Sequence, residues 1–252
     1  KKGKTKQLEF DTEWTQDRWQ PSKMINDLRR SVKVWREGRY ADDCTRITAR
    51  LLQFWKSQDR GRRLFFCQIE ALETLIYLAE VAGKYGDNAY INRIREHNED
   101  ANPGLLRLAS KMATGSGKTV VMAMLIAWQT LNKIANPQDA RFTDTFLVVT
   151  PGITIRDRLR VLLPSDPGNY YRAMEIVPPD LMAQMAQAKI IVTNFHTFLC
   201  REKVKAGKLT KDILGSGDAA SAFTESEGEM VRWVCRGLGN KRNIIVINDE
   251  AH

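Results

Sequence analysis

At 252 residues, 43% hydrophobic and 27% charged, the chain has the makeup of a globular protein with room for a sizeable core. No apolar run approaches the roughly 20 residues that span a bilayer, and Lys1-Lys2-Gly3-Lys4-Thr5-Lys6 has no apolar stretch behind it. Neither a membrane span nor a secretory signal is therefore expected, and a start on lysine is that of a trimmed or partial chain. A formal net charge of +9 favours a polyanionic partner without naming one. Cys44, Cys67, Cys200 and Cys235 are too scattered for a zinc site or a disulfide framework, so reduced thiols of a cytoplasmic protein are expected.

Residues 1–22 are polar, with Trp14 and Trp19 among them. Pro21-Ser22 then opens a helix pattern, Ser22 as N-cap, with Met24, Ile25, Leu28, Val32 and Trp35 spaced mostly three or four apart up to Gly38. Ile47, Leu51, Leu52 and Trp55 form a second apolar face. Residues 1–60 read as an accessory helical region, its tryptophans packing on the domain of residues 61–252. Leu64 to Val81 is a strong apolar helix with Gln68 near its start. A carboxamide can pair with both the acceptor N7 and the donor N6 of adenine, and a neighbouring aromatic can cover the ring. Residues 84–104, with Gly86, Asn88, Asn98, Asn102, Pro103 and Gly104, look like an inserted polar excursion.

Leu105 to Met112 alternates as a buried strand does, with Leu106, Leu108 and Met112 apolar. Ala113-Thr114-Gly115-Ser116-Gly117-Lys118-Thr119 follows, and then an apolar helix pattern to Asn132. The residue types fit a polyphosphate: glycines let backbone N–H groups approach the anion, and the helix N-terminus adds its dipole. Lys118 can reach the β- and γ-phosphates, and the Thr119 hydroxyl can ligate Mg²⁺. Thr114, Gly115, Ser116 and Gly117 complete the candidate cradle for ATP. The usual phosphate-loop pattern has a glycine where this chain has Met112, a departure common in helicase-like loops.

Thr145 to Thr150 reads as a strand, followed by Pro151-Gly152 and a basic helix with Arg156, Arg158 and Arg160. Lys189 to Thr193 is another strand, leading into Asn194-Phe195-His196-Thr197. Arg201 to Gly228 lacks a core pattern and reads as a mobile insertion, before Glu229 to Arg236 resumes a helix. Asn243 to Asn248 is so continuously apolar that an inner strand of a parallel sheet is expected. Asp249 and Glu250 at its end are candidates for holding Mg²⁺ and for activating water, respectively. Strands alternating with helices argue for an α/β fold with a mostly parallel, doubly wound sheet.

With Gln68, the phosphate loop, Val149-Thr150-Pro151-Gly152, Val192-Thr193-Asn194-Phe195-His196 and Asp249-Glu250-Ala251-His252 in this order, the chain resembles the first RecA-like domain of a superfamily 2 helicase or translocase. The string Lys111 to Thr119, Phe66-Cys67-Gln68 and Thr-Asn-Phe-His most resemble the restriction subunits of type III restriction-modification enzymes, and Ile25 to Arg30 looks like a helix of related proteins. The resemblance covers residues 62–252. It implies ATP- and Mg²⁺-dependent action on double-stranded DNA, a methyltransferase or other defence subunit as partner, and no membrane. It also implies that Thr150, Gly152, Thr193, Asn194 and His196 meet nucleic-acid phosphates, and that His252 couples the γ-phosphate to a second RecA-like domain. Because that domain normally supplies the transition-state arginines, residues 1–252 alone are expected to hydrolyse ATP slowly. An RNA helicase and a nucleotide-gated scaffold remain alternative readings.

Overall fold

The computed structural model describes residues 13–38, 40, 42–199, 226–239, 241 and 243–249, with side chains from Lys23 onward except Glu227. The expected insertion between Arg201 and Gly228 therefore lies mostly outside the described residues, as do Glu250 and His252 and the side chains of Trp14 and Trp19.

Five helices precede the sheet. The first, α1, spans Glu13–Glu37 and runs straight through Pro21, so Ser22 is not its N-cap. An interior proline costs about 3 kcal/mol by removing a donor and crowding a carbonyl, and a helix this long absorbs it. The helix stops at Gly38, whose N–H reaches the Val34 and Trp35 carbonyls at 3.0 and 3.2 Å. Next, α2 covers Arg46–Lys56 and is capped by the Thr45 hydroxyl, which accepts from the Thr48 N–H at 3.1 Å. Phe66–Ile76 forms α3, prolonged by a π-helical turn over Tyr77–Val81. The polar excursion contains a helix of its own, α4, Asn88–Ala101, none of whose residues is buried. Lys118–Ala135 forms α5, a largely buried helix, as the apolar run after the phosphate loop requires.

Three parallel strands make the sheet: β1 Thr145–Thr150, β2 Lys189–Asn194 and β3 Ile245–Asn248, in the order β2-β1-β3. Val148 pairs with Val192 on one side and Ile247 on the other, so β1 is the centre, and Phe146 and Val148 are completely buried. Between β1 and β2 lie α6, Ile153–Arg158, α7, Tyr170–Ala173, and a 3₁₀ stretch over Pro179–Gln187; α8, Glu227–Val234, precedes β3. All pairings are parallel, as expected. Among the described residues, however, there are three strands, fewer than a doubly wound sheet has.

Two strand expectations are corrected. Residues 105–112 form no strand, and Leu105, Leu106 and Leu108 are each about half exposed. Alternation offers a face to bury, but a strand also needs another strand for its N–H and C=O groups; here the Asn98 side chain of α4 accepts from the Arg107 N–H at 2.6 Å and donates to the Arg107 carbonyl at 3.0 Å, and no described strand pairs with the segment. For the same reason β3 is an edge strand: its residues alternate half-buried and exposed, with Val246 at 59% exposure.

The helices and the sheet share one core. Val32, Leu51, Leu52 and Trp55 from α1 and α2 join Leu72, Ile76, Ile126, Leu131 and Phe146 in it. Polar ties fix how these pieces meet. Trp55 Nε1 donates to the Ile176 carbonyl at 2.8 Å, and the Arg60 guanidinium donates to the Glu175 and Met174 carbonyls at 2.7 and 2.9 Å. Buried donors and acceptors of this kind make their partners specific, since leaving one unmade costs about 1–3 kcal/mol.

Candidate nucleotide-binding site

The phosphate loop is a tight turn leading into α5. Ser116 closes it, its N–H and hydroxyl both donating to the Ala113 carbonyl at 3.3 and 2.6 Å. Gly115 and Gly117 have φ of +79° and +82°, a left-handed conformation that costs other residues about 1–2 kcal/mol. The bend leaves the N–H groups of Gly115, Gly117, Lys118 and Thr119 without a backbone acceptor among the described residues. Four donors at the positive end of an 18-residue helix fit an anion. Lys118 is the first helical residue and Thr119 the second, both half-buried, while Thr114 is exposed at the turn.

Gln68 is pressed against this loop. Its Oε1 accepts from the Phe65 N–H at 2.9 Å and its Nε2 donates to the Ser116 carbonyl at 2.9 Å, which settles the orientation of the amide. Gln68 is 4% exposed, and one lone pair and one N–H of its amide have no partner among the described residues. The approach is so close that a Cβ on Gly117 would fall 2.2 Å from Gln68 Nε2. Gly117 is therefore required twice, for its φ and for this contact. Gly117→Ala is expected to lower stability by about 1–2 kcal/mol through φ alone, and to weaken nucleotide binding by pushing Gln68 away. Thermal unfolding and equilibrium binding of the variant check both; a variant matching wild type in each would refute the packing argument.

Asp249 is placed at the C-terminal end of the sheet by strand register. Val149 pairs with Asn248, and the Asp249 N–H donates to the Val149 carbonyl at 3.0 Å. Thr150 pairs with Asn194, so Thr150, Asn194 and Asp249 stand in one row at the C-terminal edge of the sheet. The start of β3 is stapled to the start of β1. The Thr143 hydroxyl donates to the Asn243 carbonyl at 2.6 Å, the Asn243 amide donates to the Ala140 and Phe142 carbonyls at 3.0 Å, and Lys241 pairs with Asp144 at 3.3 Å. Burial pushes the Asp144 carboxyl up, but the Thr145 hydroxyl and Lys241 outweigh it and hold it below the usual range.

A side-chain contact ties α5 to the sheet. Gln129, in the C-terminal half of α5, accepts from the Thr143 N–H at 3.1 Å just before β1 begins. That contact anchors the C-terminal half of α5 beside the start of β1, and Lys118 opens the other end of the helix. With strand order β2-β1-β3 the chain reverses direction between β1 and β3, the switch point at which open parallel sheets bind ligands. Among the described residues no three His, Cys, Asp or Glu side chains are close enough to hold a metal by themselves.

The proposed nucleic-acid residues divide into two groups. Thr150 is fully buried, its hydroxyl donating to the Gly152 and Thr193 carbonyls at 2.9 and 3.3 Å. The Thr193 hydroxyl bonds Thr197 Oγ1 at 3.0 Å, and Asn194 Oδ1 accepts from the Thr197 N–H at 3.1 Å, capping a 3₁₀ turn. These three side chains are buried in their own loops. Gly152 is the N-cap of α6, and His196 is exposed beside Phe195, with ring centroids 5.5 Å apart. Sequence reasoning passed over Thr197, and also Glu70 and Glu73 of α3, although carboxylates in an otherwise apolar helix are a usable signal.

A parallel α/β domain with a glycine-rich loop at a helix N-terminus and an acidic residue at the C-terminal end of a strand has the parts of a nucleoside-phosphate-binding protein. The model of one family, "Type III restriction enzyme, res subunit", matches residues 62–252, and the chain belongs to that family, a superfamily 2 helicase-like domain that hydrolyses ATP. No curated protein and no solved structure matches the chain. No helix among the described residues is long and apolar enough to cross a membrane.

Proposed function

We propose that this chain is the ATP-binding part of a DNA-dependent motor, in which hydrolysis drives movement or switching on duplex DNA. The observation that carries the proposal is the glycine-rich turn at the start of α5, whose N–H groups have no backbone acceptor among the described residues, in a chain matched over residues 62–252 by the family model. The loop N–H groups and Lys118 bind the β- and γ-phosphates, and the free valences of Gln68 read adenine. Thr119 and Asp249 would hold Mg²⁺, which supplies positive charge to the phosphate oxygens when bound. Glu250 orients the attacking water and takes its proton, and His252 couples the γ-phosphate to a second RecA-like domain. Residues 61–252 form the motor domain and residues 1–60 an accessory region.

Because the side chains of Thr150, Thr193 and Asn194 serve their own loops, the Gly152 backbone and the His196 side chain are the proposed contacts to DNA phosphates. Arg156, Arg158 and Arg160 of α6 and its adjoining 3₁₀ turn add positive charge next to Gly152. A methyltransferase or other defence subunit is the proposed partner, and the cytoplasm the proposed location. The test is ATP hydrolysis by the intact protein with duplex DNA, single-stranded RNA, or neither. Stimulation by duplex DNA that fades as salt rises is expected; stimulation by RNA and not by DNA would overturn the DNA reading.

A further inference from the structure

Helix α3 carries Gln68 on one face and is held from another by α1. Arg29 donates from Nε and Nη2 to the two Glu70 carboxylate oxygens at 3.3 and 3.0 Å. Arg36 Nε donates to Glu73 Oε2 at 2.7 Å, and the Tyr40 hydroxyl donates to the other Glu73 oxygen. The Arg36 guanidinium also lies 5.2 Å from the centroid of the Phe66 ring. Phe66, Glu70 and Glu73 follow one another at helical spacing, so α1 grips a single stripe of α3. Gln68, Leu72 and Ile76 are buried on a neighbouring stripe, and α3 packs there against α5 and the loop.

Glu73 is completely buried and the Arg36 side chain is 17% exposed. Burial and the adjacent Glu73 carboxylate push the Tyr40 phenol far above its ordinary range, so its proton stays in place to be donated. A buried ion pair of this kind adds little net stability over apolar packing, but removing either partner leaves the other's charge buried, so the pair ties the end of α1 to α3 at this point. The site downstream has little tolerance, given the distance at which Gln68 meets Gly117. Arg29, Arg36 and Tyr40 all precede the family match, which begins at residue 62.

We propose that the Arg36–Glu73 pair is a positioning device for the nucleotide site: it sets the rotation and height of α3, so that Gln68 reaches the Ser116 carbonyl and presents its remaining valences to the purine. The proposal rests on the reading of Gln68 as the adenine contact. Helix α1 thereby becomes a support of base selection, and Arg36 acts through Gln68 without touching the nucleotide.

The experiment is a double-mutant cycle on the intact protein, measuring equilibrium binding of ATP, GTP and inorganic tripolyphosphate. Arg36→Met is expected to weaken ATP binding about tenfold and to shrink the preference for ATP over GTP by the same factor, the size of one lost directional hydrogen bond. Tripolyphosphate, which needs only the loop, should bind unchanged. In a Gln68→Ala background Arg36→Met should add nothing. Arg36→Lys, which keeps the charge and loses the Nε–H donor, serves if the methionine variant does not fold, and should shift the ATP/GTP ratio in the same direction.

An unchanged ratio in the folded Arg36 variant overturns the proposal, as does a full effect persisting without Gln68. If Gln68→Ala itself leaves the ratio intact, the adenine reading fails and takes the proposal with it. If Gln68→Ala abolishes selectivity while the Arg36 variants retain it, the positioning role alone fails.

Discussion

Lys118→Ala is expected to lower ATP hydrolysis by the intact protein at least about 100-fold, the usual loss when one preorganised donor to a developing charge is removed. Lys118 stands at the first position of α5, where the helix dipole and four unpaired N–H groups converge. Its ammonium has no hydrogen-bond or carboxylate partner among the described residues, so the substitution deletes no contact that holds the fold. Stability should therefore change by no more than about 0.5 kcal/mol. That separation makes the test clean: phosphate release at saturating ATP reads the chemistry, and a thermal melt reads the fold. Hydrolysis within tenfold of wild type, with the melt unchanged, would show that Lys118 does not face the phosphates.

The phosphate loop was legible because its chemistry is local: Gly115 and Gly117 supply left-handed turns, and the helix begins where the lysine falls. The parallel strands were legible as apolar runs separated by helical patterns. Less legible was which distant partner each segment meets. The alternation of Leu105 to Met112 says which face would be buried but not whether another strand is there to pair with. The apolar run into Asn248 cannot distinguish a central strand from an edge one. The side chains of Thr150, Thr193 and Asn194 are absorbed by turns of their own chain, a competition between capping and ligand that residue type alone leaves undecided. The carboxylates of α3 and the π turn after it were visible in an apolar segment, but their partners lie 32 to 48 residues away in sequence.

Glu80→Ala is expected to be the most damaging single change to stability, about 3–5 kcal/mol. Glu80 is 4% exposed in the π turn and accepts three hydrogen bonds: from the Thr45 N–H at 2.8 Å, the Thr48 hydroxyl at 2.7 Å and Trp128 Nε1 at 2.9 Å. Alanine leaves the Thr45 N–H and the Thr48 hydroxyl facing a cavity, while Trp128 Nε1 keeps the Thr48 hydroxyl oxygen at 3.0 Å. Thr45 is the cap of α2, and Trp128 lies on α5, the helix that carries Lys118, so one carboxylate joins the accessory helices to the nucleotide-binding one. Asn132 ties in as well, donating to the Thr48 hydroxyl at 2.9 Å. Cys44, beside this knot, has its thiol pushed up to about 12, first by burial and then by the Glu80 charge. At 2–4 °C per kcal/mol for a chain of this size, the melting temperature should fall by roughly 10 °C or more. Glu80→Gln keeps one carbonyl acceptor and the side-chain volume, and should lose less than half as much. A fall below about 1 kcal/mol for the alanine variant in denaturant titration would mean that water replaces the carboxylate, and that α2 and α5 are joined by apolar packing alone.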